Sequence, residues 1–255
     1  MTDERELQAG AGVRLSAGDP EHETLIAGRV TVVISGEPVE VALVVPDGKV
    51  AVEQVLPIFQ GLSNLFVDRA VARAEAEGRT VSCRAGCGAC CRQLVPVAEA
   101  EARALAHLVE AMPEPRQAHV RRRFDDALNA LDAAGLLDRV SQQVENGALA
   151  LGLDYFRAGV ACPFLEDEAC SIHPDRPLAC REYLVTSPAQ NCRSPSAEGI
   201  EMLKLEGDPS LALLKAERTA GWVPLVLALR YAEQAPPAPR DRTGPEILAD
   251  VIGRL

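Results

Sequence analysis

No apolar stretch in this chain of 255 residues approaches the roughly 20 residues that a helix needs to cross a bilayer; Trp222 to Leu229 is among the longest and falls far short. No membrane span is expected. Positive charge is also scarce. Against 37 Asp and Glu stand 26 Lys and Arg, only three of them lysines (Lys49, Lys204, Lys215), for a net charge of −11 and a pI near 4.9. A nucleic-acid surface needs a clustered basic face, so that class of partner is not expected. The one basic run, Arg121-Arg122-Arg123, is followed at once by Asp125 and Asp126 and reads as a solvated helix face. The first residues carry acids where a secretory leader carries bases, and no apolar core follows them. Export is not expected, and the reading is a cytoplasmic protein. Internal repeats and the motifs G-x-S-x-G, H-E-x-x-H and G-x-x-x-x-G-K-[ST] are missing, which removes the sequence case for the common hydrolase, zinc-protease and nucleotide-binding chemistries.

What is present is enough apolar material for a continuous core, 47% of the residues, so the chain needs no disulfide staples to fold. Residues 1–22 are polar with scattered Gly and Pro and read as a flexible lead-in; residues 23–255 read as one domain. In its first part, 23–79, the valine-rich stretches Gly28 to Ile34 and Val39 to Val45 flank Ser35-Gly36-Glu37-Pro38, the pattern of a β-hairpin, and a second turn is expected at Pro46-Asp47-Gly48. Helical spacing of apolar residues (Leu62, Leu65, Phe66, Ala70, Val71) then predicts a long helix from about Val52 to Glu77, stopped by Gly78. The middle part, 80–193, holds the cysteines and two amphipathic helices, Ala98 to Glu110 and Pro115 to Ala134, with a third from Leu137 towards Ala150. Residues 161–198 are proline-rich and aperiodic, a loop too long for a compact domain unless something else holds it. The last part, 194–255, is expected to be helical over Val223 to Glu233 and Pro245 to Ile252, around a proline-rich linker at Ala235 to Arg240. The fold class expected is α+β, predominantly helical, with an N-terminal β-hairpin and a cysteine-rich metal-binding region.

The chain has eight cysteines in two groups. Cys83, Cys87, Cys90 and Cys91 follow the spacing C-x3-C-x2-C-C, with Gly86 and Gly88 between them to let the backbone bend close to the sulfurs. Thiolates repel one another, and only a cation makes crowding several of them favourable. The second group, Cys162, Cys170, Cys180 and Cys192, lies in the aperiodic loop, where metal bonds can supply the order that apolar packing does not. Four of the eight cysteines are followed directly by arginine (Arg84, Arg92, Arg181, Arg193), where chance would place fewer than one. Guanidinium groups beside bound thiolates would offset charge. His173 stands near Cys170 at a spacing known from zinc sites but sits between Ile172 and Pro174, where a structural role is commoner; Tyr183 is expected to pack.

These residues carry a resemblance. Cys83-x2-Gly86-Cys87-x2-Cys90-Cys91, then Cys162-Pro163-Phe164-Leu165, Cys170-x-Ile172-His173-x2-Arg176-Pro177-x2-Cys180-Arg181-x-Tyr183 and Cys192, resemble the YkgJ-like cysteine-cluster family of zinc- or iron-chelating domains. All eight positions are filled, so the resemblance implies a chelating role for each of the eight cysteines. A related cluster occurs in bacterial flagellin lysine N-methylases, where it looks like an iron–sulfur site, and this implies iron; no glycine-rich methyl-donor site is seen here, so methylation does not carry over. The C-x3-C-x2-C segment is similar to that of radical S-adenosylmethionine enzymes, but the alternating strands and helices of their barrel are missing.

Three functions remain open from the sequence. The first is a redox or accessory protein with a [4Fe–4S] centre on Cys83, Cys87, Cys90 and Cys91, closed or shielded by the second group, acting with an unknown protein partner. The second is a non-enzymatic module with Zn²⁺ in sites of four cysteines each. The third is a thiol-redox or metal-storage protein. The two cysteine groups are expected to meet in space at the end of the long helix.

Overall fold

The computed structural model describes residues 25–142, 148–194, 199–217 and 221–255; the lead-in at 1–22 lies outside them. The first unit is an antiparallel hairpin of β1 (Leu25–Ile34) and β2 (Glu37–Pro46), in register from Leu25 with Pro46 to Ile34 with Glu37. Its turn is the pair Ser35-Gly36, both with positive φ (58° and 75°), which matches the right-handed twist of the strands. Glu37 and Pro38, read from the sequence as turn, already belong to β2. Alternation sends Val32 and Ile34 into the core and leaves Val33 64% exposed.

A two-residue strand, β3 (Lys49–Val50), and a 3-10 turn at Val52–Val55 precede α1 (Leu56–Ala76). Helical spacing places Val52 to Val55 inside the helix; Pro57 in the first turn of α1 lacks an N–H and marks the true start. Leu56, Phe59, Leu62, Phe66, Ala70 and Ala74 form its buried stripe. At its end Gly78 takes φ 75°, and Arg79 N donates to Ala74 O, the bond that closes a helix with a left-handed residue. The cysteine segment follows, then β4 (Pro96–Val97), α2 (Glu99–Glu110), α3 (Glu114–Ala133), α4 (Leu137–Ser141) and α5 (Ala148–Ala158). The two amphipathic helices lie where their spacing puts them. The third does not run through as one helix in its described part: α4 ends at Ser141, and α5 starts afresh at Ala148, with 143–147 outside the described residues.

Residues 161–194, expected to be irregular, contain β5 (Leu165–Glu166) paired with β6 (Ala169–Cys170), and α6 (Leu178–Glu182). The hairpin escaped detection because Asp167 and Glu168 fill its positive-φ positions in place of glycine. α7 (Pro209–Ala216), also unforeseen, is capped by Asp208, whose carboxylate accepts from Leu211 N at 2.9 Å. Val223–Pro224 is not helix but β7, paired with β4; α8 (Ala228–Gln234) follows a 3-10 turn. β8 (Arg242–Thr243) pairs with β3, and α9 (Gly244–Ile252) closes the chain on a capping box between Thr243 and Glu246. Gly244 is required by close approach, since a Cβ there would stand 2.3 Å from Pro46 O. The architecture is predominantly helical α+β.

Two large apolar clusters form the core. One joins α2, α3, α4, α5 and the 223–229 segment; the other joins the hairpin, α1, α7 and α9. The cysteines sit where the 162–192 segment runs from one to the other, Cys162, Cys170 and Cys180 against the first cluster and Leu178 inside the second. Among the described residues no helix is long and apolar enough to cross a membrane.

Candidate metal centre

The first cysteine group is a series of tight turns. Cys87 N donates to Arg84 O at 3.1 Å, Cys91 N to Gly88 O at 3.0 Å and Gln93 N to Cys90 O at 3.1 Å. Each bond spans three residues, so Cys87, Cys90 and Cys91 are ordered by their own local backbone, with Gly86 at φ 85° where a side chain would be strained; Cys83 lies before these turns, where Ser82 N donates to Val185 O at 2.9 Å. The segment is a run of turns and not a helix.

The second group is held from a distance. Arg123 Nε donates to Pro163 O at 2.6 Å, and its NH2 to Leu165 O, so one guanidinium fixes the chain just beyond Cys162. Arg123 therefore does structural work that the reading of its run as a solvated face missed. Glu101, buried on α2, accepts from Ala98 N at 2.9 Å and from Leu178 N at 2.7 Å, pinning the start of α6 two residues before Cys180. Burial raises the Glu101 carboxyl above its ordinary range, while the two amides and the nearby Arg181 oppose that shift. Arg181, buried on α6, donates to Arg176 O, Pro174 O and, across the interface, Asn64 Oδ1 of α1.

The two groups meet. Cys162 N donates to Cys91 O at 2.7 Å, and Gly88 lies so close to the β5–β6 turn that a Cβ would come within 2.4 Å of Leu165 Cδ1 and 2.5 Å of Glu168 O. All eight cysteines are free thiols. Cys83 and Cys87 pack with Cys192, Ala89, Val185 and Tyr183 in a small cluster of their own. Cys90 lies between the sets: its thiol hydrogen-bonds with Cys91, and it is within electrostatic reach of Cys83 and Cys192 on one side and of Cys162, Cys170 and Cys180 on the other. Among the described residues, no three Cys, His, Asp or Glu side chains are arranged in a group that could hold an ion as they stand.

Residues 82–197 match the model of the CxxCxxCC family, described as a putative zinc- or iron-chelating domain. This segment is a CxxCxxCC domain. It is the cysteine-cluster family that the motif resembles, and the hairpin, α1 and the helices from α7 onward lie outside the match. No curated protein and no solved structure matches the chain.

The chemistry of the CxxCxxCC domain's donors fits a thiophilic metal. Burial pushes the Cys83, Cys170 and Cys180 thiols up, Cys162 to about 12 and Cys192 to about 11, and neighbouring thiolates push them the same way. The hydrogen bond with Cys91, then burial, pushes Cys90 up. The protein alone therefore keeps these groups protonated, and a cation among them is what would ionise several together. Two features suit an anionic metal–sulfur centre. Val185 N–H donates to Cys83 Sγ at 3.3 Å. The guanidinium of Arg176, within electrostatic reach of Cys83, Cys90 and Cys170, has a buried Nε with no hydrogen-bond partner among the described residues. Such an orphan donor is costly unless an acceptor arrives. The sequence offered one signal for Arg176, its place in the motif, and none for Glu101.

The arginines that follow cysteines divide. Arg181 binds backbone carbonyls; Arg92 forms a two-pronged pair with Glu168, 2.6 and 3.2 Å, and Arg193 approaches the same carboxylate at 3.6 Å. His173 is turned to Arg176, whose NH1 donates to its Nε2, and burial followed by the charges of Arg176 and Arg181 lowers its pKa. That nitrogen is engaged by the guanidinium. Tyr183 does more than pack, accepting at its hydroxyl from Gln93 Nε2 at 3.0 Å.

Proposed function

We propose that the CxxCxxCC domain of this chain binds iron as an iron–sulfur cluster, [4Fe–4S] in the first instance, and serves a redox or accessory role in a modification reaction on a partner protein. The observation that carries this reading is the position of Cys90, whose thiol is within electrostatic reach of cysteines of both groups, so that one all-sulfur centre could draw on both. A soft donor set of this kind selects zinc or iron–sulfur over hard cations, and the likeness to the methylase cluster favours iron. Cys83, Cys87 and Cys90 are its ligands. For the fourth, packing favours Cys192, which shares a cluster with Cys83 and Cys87, over Cys91, whose carbonyl holds Cys162. Cys91, Cys162, Cys170 and Cys180 then shield the centre or hold a second metal.

A bound cluster supplies reversible one-electron transfer. The protein's own part is to tune and enclose it. The Val185 amide takes charge from the Cys83 sulfur, Arg176 offsets the negative charge of the assembly, and buried Phe164, Ile172 and Val185 keep water from its inner side. Iron, acid-labile sulfide and the absorption spectrum, measured on protein purified without oxygen or an affinity metal, test the reading. Iron and sulfide in comparable amounts with a brown colour are expected, and Cys90→Ser should lose nearly all of both while keeping its far-ultraviolet circular dichroism. Colourless protein with zinc and no sulfide would overturn iron; protein without metal would overturn the chelating role itself.

A further inference from the structure

A cleft of about 250 Å³ opens beside the first cysteine group, with Arg84 and Arg193 on its walls and Cys87, Gly86, Gly88 and Glu168 among its lining residues. Its charge is unusual for a chain of net charge −11. Among the described residues Glu168 is the only carboxylate lining it, and that group is engaged by both prongs of Arg92 and approached by Arg193. Arg84 has no carboxylate partner among the described residues. Two guanidinium groups thus face a cleft whose one negative charge is shared with a third.

The shape is as specific as the charge. Gly86 and Gly88 keep side chains out of the near wall, and Gly88 has no alternative, because Leu165 Cδ1 and Glu168 O already occupy the place of a Cβ. The volume lies below the roughly 300 Å³ at which pockets for drug-sized molecules begin, so the occupant is small. Guanidinium forks match the planar or tetrahedral oxygens of carboxylate and phosphate better than any other common ligand chemistry.

We propose that this cleft binds a small oxyanion, a carboxylate- or phosphate-bearing molecule, on Arg84 and Arg193 and holds it against the Cys87 side of the centre. The purpose of the site rests on the metal-centre reading; the binding itself does not. It would be the position from which a small substrate or ligand meets the cluster, since Cys87 is the one cysteine in the cleft wall.

Isothermal titration of the full chain in low-salt buffer, with inorganic phosphate and separately with malonate, tests the site. One saturable site per chain is expected. Arg84→Gln and Arg193→Gln should each weaken it about tenfold, the loss of one charge-assisted contact, and Arg84→Lys less than that. Arg29→Gln on the hairpin should leave it unchanged. Tighter binding of phosphate assigns the ligand to phosphate esters, and tighter binding of malonate to carboxylates. Absence of saturable binding by either anion, or equal affinity in the two Gln variants and the parent, would overturn the proposal; Arg84 is exposed, so its variants should fold. Metal content measured on the same samples separates the two ideas: metal without anion binding removes the cleft alone, and anion binding without metal removes the cluster alone.

Discussion

The two cysteine groups reach the same place by opposite means. Cys87, Cys90 and Cys91 are ordered by turns that close within three residues, while Cys83, just before them, is held from Val185, whose carbonyl accepts from Ser82 N and whose amide donates to the Cys83 sulfur. Cys162, Cys170 and Cys180 lie on a segment tied down by Arg123 from α3, Glu101 from α2 and Arg181 reaching to α1. Local turns lose little entropy on closing and survive partial unfolding, whereas long-range anchors form only with the tertiary structure. The first group is thus a half-site that the folded scaffold completes with the second. Cys192 departs from its own group and packs with the first.

That division can be broken from either side. The largest effect is expected from Glu101→Ala, which leaves the buried Ala98 and Leu178 amides without acceptors; urea denaturation should show a loss of about 3 kcal/mol, with Glu101→Gln losing less. In that variant Cys180 should become open to alkylation at urea concentrations where Cys87 remains as in the parent, and equal exposure of both would erase the distinction. Gly88→Ala acts at the contact between groups. Its added methyl meets Leu165 and the Glu168 carbonyl, so a loss of about 2 kcal/mol is expected together with weaker metal retention under a chelator. A variant as stable and as metal-retentive as the parent would mean that the two groups need not touch.

The smallest effect belongs to the scaffold and is read by pH. Glu217 accepts from Glu99 N at 2.7 Å and Ala100 N at 2.8 Å at the start of α2, and burial raises its carboxyl to about 7. A group with a raised folded pKa holds its proton more tightly when folded, so this contribution is complete below the ordinary value of 4.5 and is lost as pH rises through about 7. Stability should fall by roughly 2 kcal/mol across that window, and Glu217→Gln should flatten the profile. A profile that keeps its slope in the variant would assign the effect to another group.

The spacing of the first four cysteines, the Ser35-Gly36 turn, the stripe of α1 ending at Gly78 and the two amphipathic helices α2 and α3 were legible from the chain because each depends on residues a few positions apart. α5 and α7 were not, and in α5 Gly152 in mid-helix weakens the local signal that tertiary packing overrides. The β5–β6 hairpin was hidden because it turns on Asp167 and Glu168, which take the positive φ that a two-residue hairpin turn requires where glycine or asparagine is usual.

By itself, then, the sequence determined that thiols are the chemistry of this protein and that four of them crowd within nine residues, since repulsion between neighbours follows from covalent spacing alone. Only the tertiary structure decided which thiols adjoin, that Cys90 stands between the sets, that Cys192 joins Cys83 and Cys87, and that Arg176 is the guanidinium brought among them. Those contacts join residues up to about a hundred positions apart, and their free energy comes from burying charged and polar groups together, a quantity that no local pattern encodes.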